Sequence, residues 1–244
     1  MVYINSGFTA DMYRDGSKAI KIFKDFKKKT DIEYEVNLQK MAFSNGLPVP
    51  EIYDIIEIDN KIAIVMEYIE GKLLSKIVQE DSKNFSKYLT MSIEIHNNIH
   101  KIETNDFPPM KEKQKNQILR TNLISEEDKK NILLKIEDTI YENRLCHGDF
   151  HFSNLILTSD GIKIIDWTSA SSGTPEADIY RTYLLYKLYS EESADMILET
   201  YCKILNICKN NILLWGPIIA GECIEFTNDK NVINKSIEII KQGI

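Results

Sequence analysis

Strand patterns dominate the first third of the chain. The runs MVYINSG, TADMYRDG and SKAIKIFK are rich in β-branched and aromatic residues, and Asp15-Gly16 predicts a hairpin turn between the last two. Two similar runs, EIYDIIEI and KIAIVMEY, flank the turn residues Asp59-Asn60. The pattern therefore predicts a small strand-rich region at the N-terminus.

A helix interrupts these strands. In DIEYEVNLQKMAFSNG the apolar period changes to three and four residues, which places Tyr34, Leu38 and Met41 on one face. Asn45-Gly46 is a typical helix end.

Beyond residue 71 the pattern is helical almost to the C-terminus. Apolar residues recur three and four positions apart, and Ser125 is placed as the N-cap of one helix, with Asp128 three residues on. We therefore predict a strand-rich lobe over residues 1–67, a linker over 68–72 and a larger helical lobe over 73–244.

Composition and charge narrow the class of protein. With 244 residues, 43% of them hydrophobic, the chain is long enough to bury a large core. No apolar run reaches the length of a membrane span, and no signal peptide is evident, so we expect a soluble, cytoplasmic protein with no membrane partner. A formal net charge of -7 argues against nucleic acid as a partner and is compatible with a cationic substrate. The oligomeric state is left open.

The four cysteines do not form a recognisable framework. They lie at Cys146, Cys202, Cys208 and Cys223, and no two form a C-x-x-C pair. We expect free thiols rather than disulfides.

The helical lobe contains one predicted hairpin, in RLCHGDFHFSNLILTSDGIKIIDW. A two-residue turn at Asp160-Gly161 would place Asn154 opposite Asp166 and Trp167. An amide oxygen beside a carboxylate is a ligand pair that suits Mg²⁺, which also takes waters and phosphate oxygens.

Asp149 lies five residues before Asn154, in the loop that enters the hairpin. A carboxylate at this position can accept the proton of an attacking hydroxyl, as phosphoryl transfer requires. Taken singly, Asp149 and Asn154 also read as turn residues and Asp166 as a strand end. Their joint spacing favours the catalytic interpretation.

These motifs resemble a known family. HGDFHFSN followed by IIDWTSASSGTPEADIY is similar to the aminoglycoside phosphotransferase and choline kinase superfamily, which is related to eukaryotic protein kinases. The resemblance implies an α+β, bilobal protein-kinase-like fold with a small antiparallel-sheet N-lobe containing one helix and a larger, mainly helical C-lobe. It also implies that Asp149 is the catalytic base, that Asn154 and Asp166 bind the metal, and that His147 shapes the loop.

Asp178 has two interpretations. In the family this position braces the catalytic loop. GTPEAD also reads as a helix start, with Thr174 as N-cap and Pro175 in the first turn.

The N-terminal lobe carries the residues that the resemblance assigns to the nucleotide. KAIKIF resembles the kinase V-A-I-K motif, so Lys21 would reach the donor phosphates. Glu35 would pair with Lys21, with Glu33 as the competing choice.

Two further segments of this lobe are assigned to the nucleotide. IVMEYIEGKLL resembles the inter-lobe hinge, where the backbones of Glu67 and Ile69 would contact adenine and Met66 would lie behind it. The phosphate-covering turn NSGFTADMY contains Gly7 as its one glycine and no G-x-G-x-x-G motif.

Residues for the acceptor are the least determined. Glu222 and Glu225 are candidates for an amine-bearing substrate, and each also fits an ordinary helix face. His151 would either contact substrate or fill the catalytic loop. The four-residue spacing of His96 and His100 can bind zinc, but the sequence supplies no third ligand.

The sequence therefore predicts a phosphotransferase that moves a phosphoryl group from ATP or GTP to a hydroxyl of a small molecule, with Mg²⁺. Two alternatives stay open: an atypical protein serine/threonine kinase, and a nucleotide-binding module without catalysis.

Overall fold

The computed structural model describes residues 1–188 and 190–243. These residues form two compact units, one made of residues 1–84 and 151–169 and the other of residues 85–150 and 170–243. The strands are β1 (Val2–Ser6), β2 (Ala10–Asp15), β3 (Lys18–Phe23), β4 (Ile52–Ile58), β5 (Lys61–Glu67), β6 (Lys72–Leu73), β7 (Arg144–Cys146), β8 (Leu155–Thr158), β9 (Gly161–Ile164) and β10 (Ser171–Gly173).

The helices account for most of the remaining residues. They are α1 (Lys29–Ser44), α2 (Leu74–Glu80), α3 (Phe85–His100), α4 (Met110–Arg120), α5 (Glu126–Asp138), α6 (Pro175–Lys187), α7 (Glu191–Leu205), α8 (Lys209–Leu213), α9 (Gly216–Cys223) and α10 (Lys230–Gln242). Within the described ranges, no helix combines the length and the apolar character that crossing a bilayer requires.

An antiparallel sheet of five strands, in the order β1-β2-β3-β5-β4, forms the main part of the first unit. The predicted turn at Asp59 and Asn60 is confirmed, and both residues have positive φ, at 50° and 62°. Such left-handed angles are tolerated by aspartate and asparagine and match the twist of a two-residue hairpin. The predicted antiparallel N-terminal sheet is therefore present.

Helix α1 packs its apolar face on this sheet. Ile32 and Val36 are buried with Phe23, Ile64 and Met66 in one cluster. These side chains come from strands adjacent in the sheet and from successive turns of the helix, so their burial fixes the helix against the strands.

The face predicted for α1 was partly wrong. Leu38 is buried, but Tyr34 is 41% exposed, and the polar Glu35 and Gln39 are buried instead. Burial of Gln39 is offset by a hydrogen bond from its amide to the Pro50 carbonyl at 2.8 Å. Periodicity alone could not reveal this, because these polar residues are buried for their partners rather than for their hydrophobicity.

The central hairpin belongs to the first unit. Strands β6, β8 and β9 form a three-stranded sheet, and the Ile164 N–H donates to the Pro48 carbonyl at 2.8 Å. Residues 73–84 and 151–169 therefore belong to the same compact unit as the N-terminal strands, whereas the lobe boundaries predicted from the sequence place them in the second lobe. That residues 68–72 link two lobes stays a prediction.

The hairpin turn lies one residue earlier than predicted. Thr158 pairs with Gly161 around a turn formed by Ser159 and Asp160. The Thr158 hydroxyl accepts from the Asp160 N–H at 3.1 Å and donates to the Gly161 carbonyl at 2.9 Å. Gly161, with φ of 130°, opens β9 in a conformation that other residues rarely adopt. These local bonds set the turn.

The predicted pairing of Asn154 with Asp166 and Trp167 is therefore wrong. Leu155 pairs with Ile164, and the Ile165 N–H donates to the Asn154 carbonyl at 2.9 Å. Asn154 thus bonds to the residue directly before Asp166. The two predicted ligands remain neighbours at one end of the hairpin.

The second unit is mainly helical. Its core includes buried aromatic and aliphatic side chains from several helices, among them Ile93, Ile132, Tyr201 and Ile219. Ser125 caps α5 as predicted, since its side chain accepts from the Asp128 N–H at 3.1 Å. Strand β7 pairs antiparallel with β10 and leads directly into the loop that carries Asp149.

Candidate active site

The loop that carries Asp149 is held by Asp178 on α6 and by His147 within the loop itself. The His147 and Gly148 N–H groups donate to the Asp178 carboxylate at 2.7 and 2.8 Å. Gly148 has φ of 77°, a left-handed angle that favours glycine and turns the chain at this point. The Asp149 N–H donates to Nδ1 of His147 at 3.2 Å, so His147 shapes the loop from a fully buried position.

The residue after Asp149 is also fixed. The Phe150 carbonyl accepts from the Thr182 hydroxyl at 2.9 Å. The Phe150 ring stacks on His96, with centroids 4.0 Å apart and planes 8° apart. Both flanks of Asp149 are therefore anchored, while Asp149 itself is only half-buried.

Asp178 is the centre of this network. Besides the two backbone N–H groups, its carboxylate bonds Nε2 of His96 at 2.9 Å and Nε2 of His100 at 3.0 Å. Asp178 also lies in the first turn of α6, which begins at Pro175, so both interpretations drawn from the sequence describe the same residue. The Thr174 hydroxyl does not cap α6, however, and instead accepts from the Glu142 N–H at 3.0 Å.

The electrostatics of this network follow from burial. Burial and the neighbouring His100 lower the pKa of His96 to about 4, so His96 is neutral near pH 7. Burial alone would raise the pKa of Asp178, but the two histidines hold it well below its ordinary value. A carboxylate that accepts four N–H groups is stabilised in its charged form.

Among the described residues, His96, His100 and Asp178 are the one group of three histidine, cysteine or acidic side chains whose ligand atoms all lie within 4.8 Å of one another. Asp178 is the third group that the sequence did not reveal. Both Nε2 atoms are already engaged with its carboxylate, so hydrogen bonding accounts for the arrangement.

The predicted metal ligands lie together in the first unit. Asn154 is buried in a short 3₁₀ helix, with its amide nitrogen 3.4 Å from Nε2 of His151. Asp166 is exposed and has φ of 63°, and one of its carboxylate oxygens accepts from the Thr168 hydroxyl at 2.7 Å. An aspartate tolerates this left-handed angle better than most residues, and here the angle occurs at a predicted ligand.

The donor set of Asn154 and Asp166 fits Mg²⁺. One carboxylate and one amide oxygen are hard ligands, and Mg²⁺ is usually held by few protein ligands together with waters and phosphate oxygens. His151 supports this segment, since its Nδ1 accepts from the Ser153 N–H at 3.2 Å. That contact favours the loop-filling interpretation of His151, and its contact with substrate stays a prediction.

The pair predicted on the nucleotide side is present. Lys21 on β3 forms an ion pair with Glu35 on α1, and both side chains are mostly buried. Glu33, the competing choice, lies on the exposed side of the helix and pairs with Lys29 at 3.8 Å. The role of Lys21 in holding phosphates stays a prediction.

The predicted hinge follows β5. Met66 is buried, and the Glu67 N–H donates to the Glu51 carbonyl at 2.8 Å. An adenine contact by Glu67 would therefore use its carbonyl oxygen. The backbone of Ile69 makes no hydrogen bond to the described residues, and Gly7 lies in the turn between β1 and β2.

The predicted acceptor residues differ in their surroundings. Glu222 on α9 is buried, bonding the Arg181 guanidinium at 3.1 Å and the Gln114 amide at 3.4 Å. Glu225 is exposed in a short 3₁₀ helix after α9. Burial lowers the pKa of Lys113, which donates to the Ala170 carbonyl at 3.2 Å, to about 8. Glu222 thus lies among cationic side chains, which does not favour an amine ligand at its carboxylate.

Sequence reasoning missed several of these partners. Arg181 and Thr182 lie three and four residues after Asp178 on the same helix. That spacing was the one sequence feature that indicated proximity to Asp178. The four-residue spacing of His96 and His100 is by itself only a weak metal signal. Nothing in the sequence indicated that both rings bond Asp178.

Comparison with known proteins identifies the family of this chain. The model of the phosphotransferase enzyme family (APH) matches residues 2–207. The protein LicA from Haemophilus influenzae is 38% identical over 63 residues, which is 26% of this chain and 23% of LicA. The matched segment therefore spans less than a quarter of that relative.

Solved structures share the fold at low sequence identity. A thermostable mutant of aminoglycoside phosphotransferase APH(4)-Ia superposes with a TM-score of 0.74 and 14% identity, over 99% of this chain and 94% of the other. Choline kinase LicA from Streptococcus pneumoniae gives 0.63 and 14%, over 100% and 94%. The streptomycin-ATP complex of APH(2")-IIa gives 0.61 and 17%, over 98% and 90%. The chain belongs to the phosphotransferase enzyme family and has the α+β, protein-kinase-like fold of these structures.

Proposed function

We propose that this protein transfers the γ-phosphoryl group of ATP or GTP to a hydroxyl group of a small molecule. The observation that carries the proposal is the anchoring of Asp149: Asp178 fixes the two residues before it and Thr182 fixes the residue after it. A base held in this way can accept a proton with little reorganisation, which is how positioned groups accelerate proton transfer.

Each predicted residue has a role in this reaction. Asp149 orients the acceptor hydroxyl and takes its proton as the phosphoryl group is transferred. Lys21, held by Glu35, provides positive charge for the donor phosphates. Asn154 and Asp166 would hold Mg²⁺, which supplies charge neutralisation at the phosphate oxygens when it is bound.

Similarity supports a nucleotide donor and a small acceptor. Structures with this fold include a complex of APH(4)-Ia with AMP-PNP and hygromycin B and a complex of APH(2")-IIa with streptomycin and ATP. Hygromycin B and streptomycin are the small molecules bound in those complexes, and LicA from Streptococcus pneumoniae is a choline kinase. We leave the acceptor open between such cationic alcohols and other hydroxyl compounds, because the surroundings of Glu222 do not reproduce a free acidic site.

A cytoplasmic location is part of the proposal. The four cysteines are free thiols, and one of them, Cys146, is buried. Unpaired cysteines are typical of reducing compartments, which are also where nucleoside triphosphates are abundant.

The alternatives are distinguished by the acceptor and by turnover. An atypical protein kinase would phosphorylate itself or a casein-like protein, and a non-catalytic module would bind nucleotide without consuming it. The presence of Lys21, Asp149, Asn154 and Asp166 together disfavours the second alternative, because loss of one such group is the simplest route to an inactive relative.

The testing experiment measures nucleotide consumption against a panel of hydroxyl-bearing metabolites, aminoglycosides and choline, with wild type and Asp149→Asn. We expect one acceptor class to stimulate consumption, and the variant to lose roughly 10²- to 10⁴-fold in kcat while binding ATP as wild type does. Equal turnover by the two proteins would contradict the assignment of Asp149. Transfer to proteins alone would support the kinase alternative.

A further inference from the structure

The turn between β1 and β2, residues 6–9, has an unusual anchor. The side-chain ammonium of Lys24 donates to the Gly7 carbonyl at 2.7 Å, and the Lys24 backbone N–H donates to the Thr9 carbonyl at 2.9 Å. Lys24 directly follows β3, whose last residue, Phe23, pairs with Ala10 at the start of β2. Lys24 thus bonds two carbonyls of the turn from the end of β3, the strand that pairs with β2.

Other contacts restrain the same turn. The Gly7 N–H donates to the Ala10 carbonyl at 2.8 Å, and the Ser6 hydroxyl donates to Asp11 at 2.5 Å. The ring of Phe8 packs against Phe26, with centroids 5.7 Å apart, although Phe8 is 86% exposed. The turn is therefore fixed by side chains at both ends and at its tip.

The restraints leave backbone donors available. The Phe8 and Thr9 N–H groups donate to no acceptor among the described residues. Successive backbone N–H groups in a turn form a concave site for anions, and a nearby ammonium adds favourable charge. The turn offers two successive N–H groups, and the Lys24 ammonium lies 2.7 Å from its Gly7 carbonyl, although the segment is not glycine-rich.

The contrast with glycine-rich loops explains why an anchor is needed. Glycine lets a loop bring its backbone close to phosphates, but the loop then loses much conformational entropy when it binds. A turn held by Lys24 has already lost that entropy in the free protein, so less affinity is lost on binding.

We propose that Lys24 is a positioning residue for the β- and γ-phosphates of the nucleotide. It holds residues 6–9 in a conformation in which the Phe8 and Thr9 N–H groups are directed to the phosphates. This inference rests on the proposed function, since it concerns the same nucleotide. It adds a second cation to Lys21, placed directly after β3.

The experiment compares nucleotides that differ in phosphate number. Isothermal titration calorimetry measures the affinity of wild type, Lys24→Met and Lys24→Arg for AMP, ADP and ATP with Mg²⁺. Lys27→Met is the matched control, because Lys27 is three residues further on and its side chain forms no hydrogen bond or ion pair with the described residues. Thermal unfolding checks that each variant is folded.

We expect Lys24→Met to weaken ATP binding about tenfold, the size of one charge-assisted hydrogen bond, and to leave AMP binding within about twofold. Lys24→Arg should retain most of the ATP affinity, and Lys27→Met should match wild type. KM for the nucleotide should rise in Lys24→Met more than kcat falls.

Three outcomes would overturn the inference. Unchanged ATP affinity in Lys24→Met would show that the lysine has no part in phosphate binding. An equal loss for AMP and ATP would show a structural role only. If wild type binds no nucleotide, the proposed function itself fails. The first two outcomes are distinct from this one, because both require that wild type binds nucleotide.

Discussion

Asp178 and Gly148 are thirty residues apart in sequence, and the side chain of the first holds the backbone of the second through an N–H···O bond of 2.8 Å. The bond ties the start of α6 to the turn that precedes Asp149. A helix is a rigid support, so it fixes the loop more firmly than contacts within the loop could. The loop that carries Asp149 is thus positioned by a residue outside it.

Replacing Asp178 should therefore destabilise the protein as well as the loop. In Asp178→Asn an amide NH₂ would face N–H donors, and hydrogen bonds to a charged acceptor would be lost. We expect a loss of about 3 kcal/mol in the free energy of unfolding, measured by urea denaturation. Glu176→Gln, in the same first turn of α6, is the control and should change stability little. A stability for Asp178→Asn equal to that of the control would refute the central role of Asp178.

The buried His96 should make stability depend on pH. Its pKa is lowered to about 4 in the folded state, whereas an unfolded histidine titrates near 6.5. Between these values the unfolded chain binds the extra proton, so the contribution is complete above about pH 6.5 and is lost progressively as the pH falls toward 4. The full contribution is about 3 kcal/mol.

Urea denaturation at pH 5 and pH 7 measures this dependence. His96→Gln should show a smaller difference between the two pH values than wild type does. His151→Gln, which removes a histidine of the first unit, should keep the wild-type difference. If all three proteins lose the same stability on acidification, His96 is not the source of the dependence.

The ion pair of Lys21 with Glu35 predicts opposite results for two neighbouring glutamates. Glu35→Gln removes the charge that positions Lys21 and should weaken ATP binding about tenfold, as judged by calorimetry. Glu33→Gln removes only a pair at 3.8 Å on the surface and should bind ATP like wild type. The reverse order would support the competing choice of Glu33.

The motifs of this protein could be predicted where local sequence determines local structure. The antiparallel sheet, the turn at Asp59 and Asn60, and the cap at Ser125 follow from patterns that act over a few residues. The pairing of Lys21 with Glu35 also followed, because the kinase-like motif fixes a strand and a helix together.

The predictions that were wrong or missing concern contacts between residues distant in sequence or a single side-chain hydrogen bond. The hairpin register was wrong because the hydroxyl of Thr158 selects a turn one residue earlier than Asp160-Gly161 suggests. The partners of Asp178 could not be predicted, because a histidine on α3 gives no sign of the carboxylate that it faces 82 residues away. Likewise, the sequence gives no sign of the Arg181 guanidinium that lies 3.1 Å from the Glu222 carboxylate.

The pair Asn154 and Asp166 predicts a dependence on magnesium. Asp166→Asn retains a side chain that tolerates the left-handed angle but removes the negative charge that a divalent cation requires. We expect the Mg²⁺ concentration for half-maximal activity to rise at least about tenfold, a loss of about 1.4 kcal/mol in metal binding. Asp160→Asn, in the turn of the same hairpin, is the control and should leave the magnesium curve unchanged. An unchanged curve in Asp166→Asn would exclude Asp166 as a ligand.

A structural role of Glu222 and a role in substrate binding predict different results for its replacement. Its carboxylate bonds Arg181 at 3.1 Å, and each side chain is 12% exposed, so Glu222→Gln leaves a largely buried guanidinium without its counter-charge. We expect the free energy of unfolding to fall by about 3 kcal/mol. Because removal of both charges avoids the uncompensated one, the double variant Glu222→Gln with Arg181→Met should recover part of that loss. Glu225→Gln, on the exposed segment after α9, should unfold like wild type.

The alternative is that Glu222 binds an amine of the acceptor. In that case Glu222→Gln will raise the acceptor KM while stability stays unchanged. Urea denaturation and steady-state kinetics on the same samples distinguish the two results.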